Sequence, residues 1–230
     1  MEQLRTIKFD NLFSDIKNLT WLPWVGRKYD DFHDFRILII GDSHYTTDED
    51  NNSDEKCFND YMTDKNATRK VLQDFIEGKD IWKFYRNLQR TLQNGENTRT
   101  EHMWERIAFY NFIQTPMKTK DEKPDDEKYQ TAWPCFAEIV KILKPTHCIF
   151  NGVRNETCYG NLMSKFGHLS EIWNLDKKIN GTFPRRATVN INGLMPEILF
   201  IKHPSSRYSP SLWRDFLNKE IPGLIDFLNE

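Results

Sequence analysis

The sequence predicts an α/β fold, a three-layer sandwich with helices on both faces of a central, mostly parallel sheet of four strands. Short apolar runs at 35–40, 107–113, 147–152 and 198–202 are typical of strands buried on both faces of a parallel sheet. Segments with helical spacing separate most of these runs, which favours crossover connections between parallel strands.

The length and composition fit one domain. The chain has 230 residues, of which 38% are hydrophobic and 29% charged, so it can bury one core beneath a polar surface. We therefore expect a single domain over 1–230, with residues 1–34 as an N-terminal helical extension packed on it.

The elements follow in order along the chain. Apolar spacing predicts helices at 1–20, 67–77, 80–92, 133–143, 155–165 and 211–228. Asp80 is a candidate N-cap, and the helix over 133–143 stops at Pro145. Residues 42–64 and 118–128 are polar and predict loops, the first long enough to be functional. Within 187–204, an Asn192-Gly193 turn, typical of hairpins, separates one further strand from the last strand at 198–202.

Neither a membrane segment nor a cofactor is expected. No apolar run approaches the roughly 20 residues of a membrane span, and the first residues lack the layout of a signal peptide. The four cysteines form no CxxC pair, which argues against a zinc or iron–sulfur site. The sequence thus predicts a cytoplasmic protein, expected to be a monomer, with no metal and no cofactor.

Charge is unevenly distributed. The net charge of −2 makes no global demand for a nucleic-acid partner, but residues 177–214 hold seven Lys and Arg residues against one acid, Glu197. Such a region, which includes Arg185 and Arg186, can bind phosphate even in an acidic chain. The alternative is an ordinary solvated face.

Polar residues follow each predicted strand directly. The loops begin at Gly41, at 111–114, at Asn151 and at His203. Ligand sites in parallel sheets form where loops leave the carboxyl ends of the strands. The sequence therefore predicts a site built from these loops.

The tripeptide Gly41-Asp42-Ser43 raises the alternative of a serine esterase with Ser43 as nucleophile. Such enzymes usually carry an Asp three residues before the catalytic His. Here Phe200 precedes His203 and Lys144 precedes His147 at that spacing, and neither can orient an imidazole.

The ordered motifs "IIGDSHY", "KCFND", "AFYNF", "CIFNG" and "IKHPSSRYS" cover residues 35–215 approximately. Together they resemble the uracil-DNA glycosylase superfamily. The resemblance implies a glycosylase-like α/β/α fold, DNA as partner, and hydrolysis of the N-glycosidic bond of a flipped-out pyrimidine.

By this resemblance, each motif has a role. His203 stabilises the departing base, Asn111 reads its edge, Phe58 stacks on it and Tyr45 screens the pyrimidine C5. In the first loop, Ser43 stands where the family has its catalytic Asp and His44 where it has Pro. Asp42 is therefore the candidate carboxylate, with His44 second, and both His44 and Ser43 are expected beside the substrate.

The late loop supplies the expected DNA contacts. Ser205 and Ser206 suit backbone phosphate, Arg207 stands at the position of the family's apolar wedge, and Tyr208 lies beside it. Arg185 and Arg186 are expected to track phosphates.

The substrate implied is uracil or a modified base, such as the hydroxymethylated or glucosylated cytosine of phage DNA, which indicates antiviral defence as well as repair. The polar loop over 48–64 suits a bulky substituent at C5. The alternatives are a catalytically inactive DNA-binding relative and the Ser43 esterase.

Overall fold

The computed structural model describes residues 4–46, 52–93, 100–152, 168–175, 177–205 and 207–230. For residues 100 and 168–174 only the backbone is described. The α/β class predicted from the sequence is confirmed.

One sheet runs through the described part of the chain, with strand order β1-β3-β2-β4-β7-β6-β5. Its strands are β1 Trp24–Val25, β2 Ile37–Gly41, β3 Ile107–Asn111, β4 His147–Asn151, β5 His168–Asn174, β6 Arg185–Asn190 and β7 Glu197–Ile201. The neighbours β3, β2, β4 and β7 are parallel. β1 pairs antiparallel at one edge, and β6 and β5 extend the other edge antiparallel.

The prediction of four strands was therefore too low, because the parallel centre carries three additional edge strands. The edges lack the continuous apolar signature: β1 has two residues, and β6 alternates buried with half-buried residues because it lies nearer the solvent. The hairpin predicted around Asn192-Gly193 is confirmed, since β6 and β7 pair antiparallel and Ile191 bridges Leu194.

Helices cover both faces of the sheet. They are α1 Asp10–Ser14, α2 Glu55–Thr63, α3 Ala67–Ile76, α4 Lys83–Leu92, α5 Thr100–Arg106, α6 Asp126–Leu143, α7 Pro210–Glu220 and α8 Leu224–Asn229. Alternate strand residues explain the layering: Leu38 and Ile40 pack in one cluster with α6, whereas Ile37 and Ile39 pack in another with α3, α4, α5, α7 and α8. All four are fully buried, and such burial stabilises by about 1.5–3 kcal/mol for each large aliphatic side chain.

Several predicted boundaries were wrong for local reasons. The helix over 1–20 reduces to α1, and residues 24–25 of the extension join the sheet instead. The polar loop over 42–64 contains α2, because the Asp54 carboxylate caps it by accepting from the Cys57 amide at 2.9 Å. Asp80 is not a cap, since α4 begins at Lys83.

The C-terminal half shows comparable differences. α6 begins at Asp126, inside the predicted charged loop, with the Asp125 side chain as its cap. The predicted final helix is two helices, α7 and α8, separated by Pro222 and by Gly223 at φ 83°. The helix predicted over 155–165 lies outside the described residues. In the part of the chain that the structure describes, no helix is long and apolar enough to cross a membrane.

The parallel centre places the predicted loops at one edge of the sheet. In the register, Gly41 lies opposite Asn111, and Asn151 lies opposite Ile201, two residues before His203. The carboxyl ends of β2, β3, β4 and β7 therefore meet, which is what a site at this edge requires.

Candidate functional site

A cleft of about 560 Å³ opens at this edge, within the size range of small-molecule sites. Polar residues from three loops line it: Asp42 after β2, Asn111 at the end of β3, and His203 after β7. Aromatic rings of α2 and of the start of α4 form much of the rest, namely Tyr61, Trp82, Phe84 and Tyr85. Sequence reasoning missed all four of these rings.

The first loop, residues 42–46, is held in place by backbone hydrogen bonds to the segment that follows β3. The Ile113 amide donates to the Asp42 carbonyl at 2.9 Å, and the Met117 amide donates to the His44 carbonyl at 2.8 Å. The Thr46 amide donates in return to the Met117 carbonyl at 2.9 Å. These bonds fix the backbone from which the Asp42 side chain extends. The Tyr45 hydroxyl donates a hydrogen bond to Asp42 Oδ2 at 3.2 Å.

Ser43 lines the cleft, but its hydroxyl is not arranged as a nucleophile. Its Oγ donates to the Thr115 carbonyl at 2.7 Å. The adjacent imidazole bonds elsewhere, with His44 Nε2 at 2.9 Å from Thr68 Oγ1. A serine without a hydrogen bond to a base is poorly activated.

His44 forms part of the cleft wall. Its ring is 6% exposed and stacks on Tyr61, with 4.6 Å between ring centres, while the edge of Trp21 meets it at 4.6 Å. Burial lowers the pKa of His44 to about 3, so the imidazole is neutral at physiological pH. A neutral, packed ring cannot stabilise charge as a cation does.

Asn111 is buried, and its amide nitrogen Nδ2 has no hydrogen-bond partner in the described structure. An unsatisfied buried donor costs about 1–3 kcal/mol, so one that borders a cleft can gain a hydrogen bond from a ligand that enters it. Gly41 makes room for this side chain, because a Cβ at residue 41 would lie 2.4 Å from Asn111 Oδ1. Glycine at position 41 is therefore required for the Asn111 side chain to pack as it does.

His203 is oriented by its own loop and by α4. Its Nδ1 lies 2.9 Å from Ser205 Oγ, and its ring packs against Phe84 with 5.0 Å between ring centres. The neighbouring Pro204 carbonyl accepts a hydrogen bond from Asn87 Nδ2 at 2.9 Å. The late loop, residues 203–208, is thus attached to α4.

Phe58, the expected stacking ring, lies on α2 and is not among the described residues that line the cleft. Its ring faces the Lys118 ammonium, 5.4 Å from the ring centre. Phe84 instead packs beside His203. Its position on α4 identifies Phe84 as a residue of the site. Phe84, Asn87 and Thr91 share one helix face, and Asn87 and Thr91 bind the late loop.

The expected DNA-binding residues are dispersed. Arg185 and Arg186 lie on β6, and Arg186 forms ion pairs with Glu197 at 2.9 Å and with Glu220 at 3.8 Å. Arg207 is exposed, with φ at 49°. Ser206 lies outside the described residues.

Tyr208 is anchored rather than projecting. Its hydroxyl lies 3.0 Å from Thr91 Oγ1, and its ring stacks on Trp213 with 6.1 Å between centres. Burial raises the pKa of Tyr208 well above its ordinary value, so the phenol stays protonated. Tyr208 therefore fixes the late loop, and Arg207 is the exposed member of the pair.

No model of a known protein family matches the chain, and a search of curated proteins finds no match.

Proposed function

We propose that the protein is a DNA glycosylase that hydrolyses the N-glycosidic bond of a pyrimidine flipped out of DNA, leaving an abasic site. The fold supports this proposal, because four adjacent parallel strands between two helical layers are what the resemblance to uracil-DNA glycosylases implies. The antiparallel edge strands are additions outside this centre.

Asp42 suits the role of the carboxylate. Cleavage passes through an oxocarbenium-like sugar, and a carboxylate beside the anomeric carbon stabilises that cation and positions the water. Water oxygen bonds to C1′ as the glycosidic bond breaks, the electron pair of that bond leaves with the base, and the proton of the water passes to the Asp42 carboxylate. Tyr45 orients this carboxylate through its hydrogen bond.

The base is held by Asn111 and His203. The unpaired Nδ2 of Asn111 can donate to a base carbonyl, and its Oδ1 can accept from a ring N–H or an exocyclic amine. His203 can donate to the carbonyl oxygen where negative charge develops on the departing base. Phe84 or Tyr61 can stack on the extruded ring.

The substrate is uracil or a cytosine modified at C5, as in phage genomes that contain hydroxymethylated or glucosylated cytosine. The first loop and the wedge position differ from the uracil-specific family pattern. Lys120, at the cleft lining, offers a further polar contact for a hydroxylated substituent.

A single observation carries the proposal: a buried amide donor without a partner lies in the same cleft as a carboxylate and an imidazole. The test incubates the protein with oligonucleotides that hold uracil, hydroxymethylcytosine, its glucoside or only ordinary bases, followed by alkali. We expect strand breaks at one of the first three bases and none in ordinary DNA.

Two variants separate the alternatives. Asp42→Ala should abolish the breaks and keep DNA binding, whereas Ser43→Ala should keep the breaks. DNA binding without breaks at any base would favour the inactive relative. An esterase activity lost in Ser43→Ala would favour the serine hydrolase.

A further inference from the structure

α4 has a basic outer face that the resemblance to glycosylases did not indicate. Lys83, Arg86 and Arg90 are exposed, and the helix contains no Asp or Glu. At 100° per residue they fall within about 60° of one another around the axis, and they span about 10 Å along it. We call these three residues the α4 ridge.

The ridge begins at the mouth of the cleft. Trp82 precedes the helix and lines the cleft while remaining 49% exposed, and Ile81 beside it is 72% exposed. Phe84 and Tyr85 turn inward from the same end of the helix. An exposed aromatic ring and a row of cations therefore meet where a nucleotide would enter.

The other end of the ridge approaches the late loop. Thr91 of α4 bonds to Tyr208, the neighbour of the exposed Arg207. The Arg214 guanidinium donates to the carbonyls of Thr91, at 3.3 Å, and Arg90. Two further cations thus lie beside the end of α4.

The ridge differs from the β6 arginines in its electrostatic surroundings. Arg186 is offset by Glu197 and Glu220, and Lys79 by Asp74 and Glu77. None of the ion pairs between described residues involves Lys83, Arg86 or Arg90. The positive potential of α4 is therefore directed at solvent, where it attracts a polyanion.

We propose that the α4 ridge binds the phosphates of the DNA strand next to the extruded nucleotide, in single-stranded form, and that Trp82 stacks on a neighbouring base. This inference rests on the proposed function and specifies which surface of the protein the DNA strand follows. A basic track with an adjacent aromatic platform is how proteins bind single strands without reading their sequence.

The test measures binding of a fluorescent oligothymidine strand, which contains no base to excise, by anisotropy over a salt series. Arg86→Glu with Arg90→Glu should weaken binding at low salt by about 100-fold. The negative slope of log K against log salt should become less steep by about 1.4. Trp82→Ala should weaken binding by about tenfold. Lys17→Glu with Lys144→Glu is the control, with the same change in charge at two exposed positions that follow α1 and α6, on the face of the sheet opposite α4.

The outcomes separate this inference from the proposed function. Binding that falls only in the α4 variants supports the ridge, even where no base is excised. Excision by an R86E/R90E variant with unchanged strand binding overturns the ridge and leaves the glycosylase in place. Binding lost instead in Arg185→Ala with Arg186→Ala moves the strand to β6 and also overturns it. Thermal unfolding of each variant establishes that it is folded.

Discussion

The Tyr45 hydroxyl donates a hydrogen bond to the Asp42 carboxylate, with 3.2 Å between Oη and Oδ2. The tyrosine stands three residues further along the first loop, which is itself fixed to the segment after β3. Asp42 therefore has a side-chain orientation determined from within its own loop. Asp42 lies in the motif that departs most from the family pattern it resembles, whereas Tyr45 matches that pattern.

Asp42→Asn should lower the single-turnover rate of base excision by about 100-fold or more, because the amide cannot stabilise the sugar cation or take the proton of water. Tyr45→Phe should lower it by about tenfold, since the carboxylate remains but loses one hydrogen bond. Equal losses in both variants would contradict an orienting role for Tyr45.

Asn111→Ala should abolish excision with little loss of stability, because its Nδ2 has no partner to lose. Asn151→Ala is the matched comparison at the end of the neighbouring strand. Asn151 Nδ2 donates to the Ile40 carbonyl at 3.1 Å, so its loss should lower the free energy of unfolding by about 1 kcal/mol. Urea unfolding measures both, and a larger loss in Asn111→Ala would indicate a structural role.

Gly41→Ala should destabilise the fold by about 1–3 kcal/mol through overpacking. The new methyl group would meet Asn111 Oδ1 at 2.4 Å and Phe109 Cζ at 3.0 Å. In the Asn111→Ala background the same substitution should be less destabilising, because one obstacle is gone. Additive free energies in this double-mutant cycle would show that Asn111 does not occupy the space beside Gly41.

Stability should decline as the pH falls below about 6.5. The pKa of His44 is lowered to about 3 in the folded protein, whereas an unfolded histidine has its ordinary value near 6.5. Between these values the unfolded chain binds one more proton at this position, so acid favours unfolding by about 1.4 kcal/mol per pH unit. His44→Gln should remove this component, and unfolding of both proteins at pH 7.5 and pH 5 measures the difference.

The centre of the sheet was predictable because β2, β3, β4 and β7 are apolar on both faces, and that signal is local. Of the edge strands, β6 was predicted through its hairpin with β7, whereas β1 was not, since it has only two residues and its partner β3 is distant in sequence. α2 was missed because none of its residues is fully buried, and its apolar spacing is too weak to distinguish it from a polar loop.

In the site, Asp42, Asn111 and His203 were predicted to lie together, because parallel strands bring their carboxyl ends to one edge. Phe58 was expected beside them only from the resemblance of its Cys-Phe motif to the family pattern. The structure places α2 so that Tyr61, one turn later, lines the cleft instead. The partners of Arg186 were equally invisible in the sequence, since Glu197 and Glu220 approach it only through the folded β7 and α7.

The bond from Asn87 to the Pro204 carbonyl joins residues 117 positions apart in the chain. The cleft is therefore complete only when α4 and the late loop have come together. A chain folded only through β4 already has Asp42 beside Asn111, yet it lacks His203 and the anchor that orients α4. Because contacts of such long range form late and slowly, activity should be one of the last properties to return during refolding, after most helical structure has been regained.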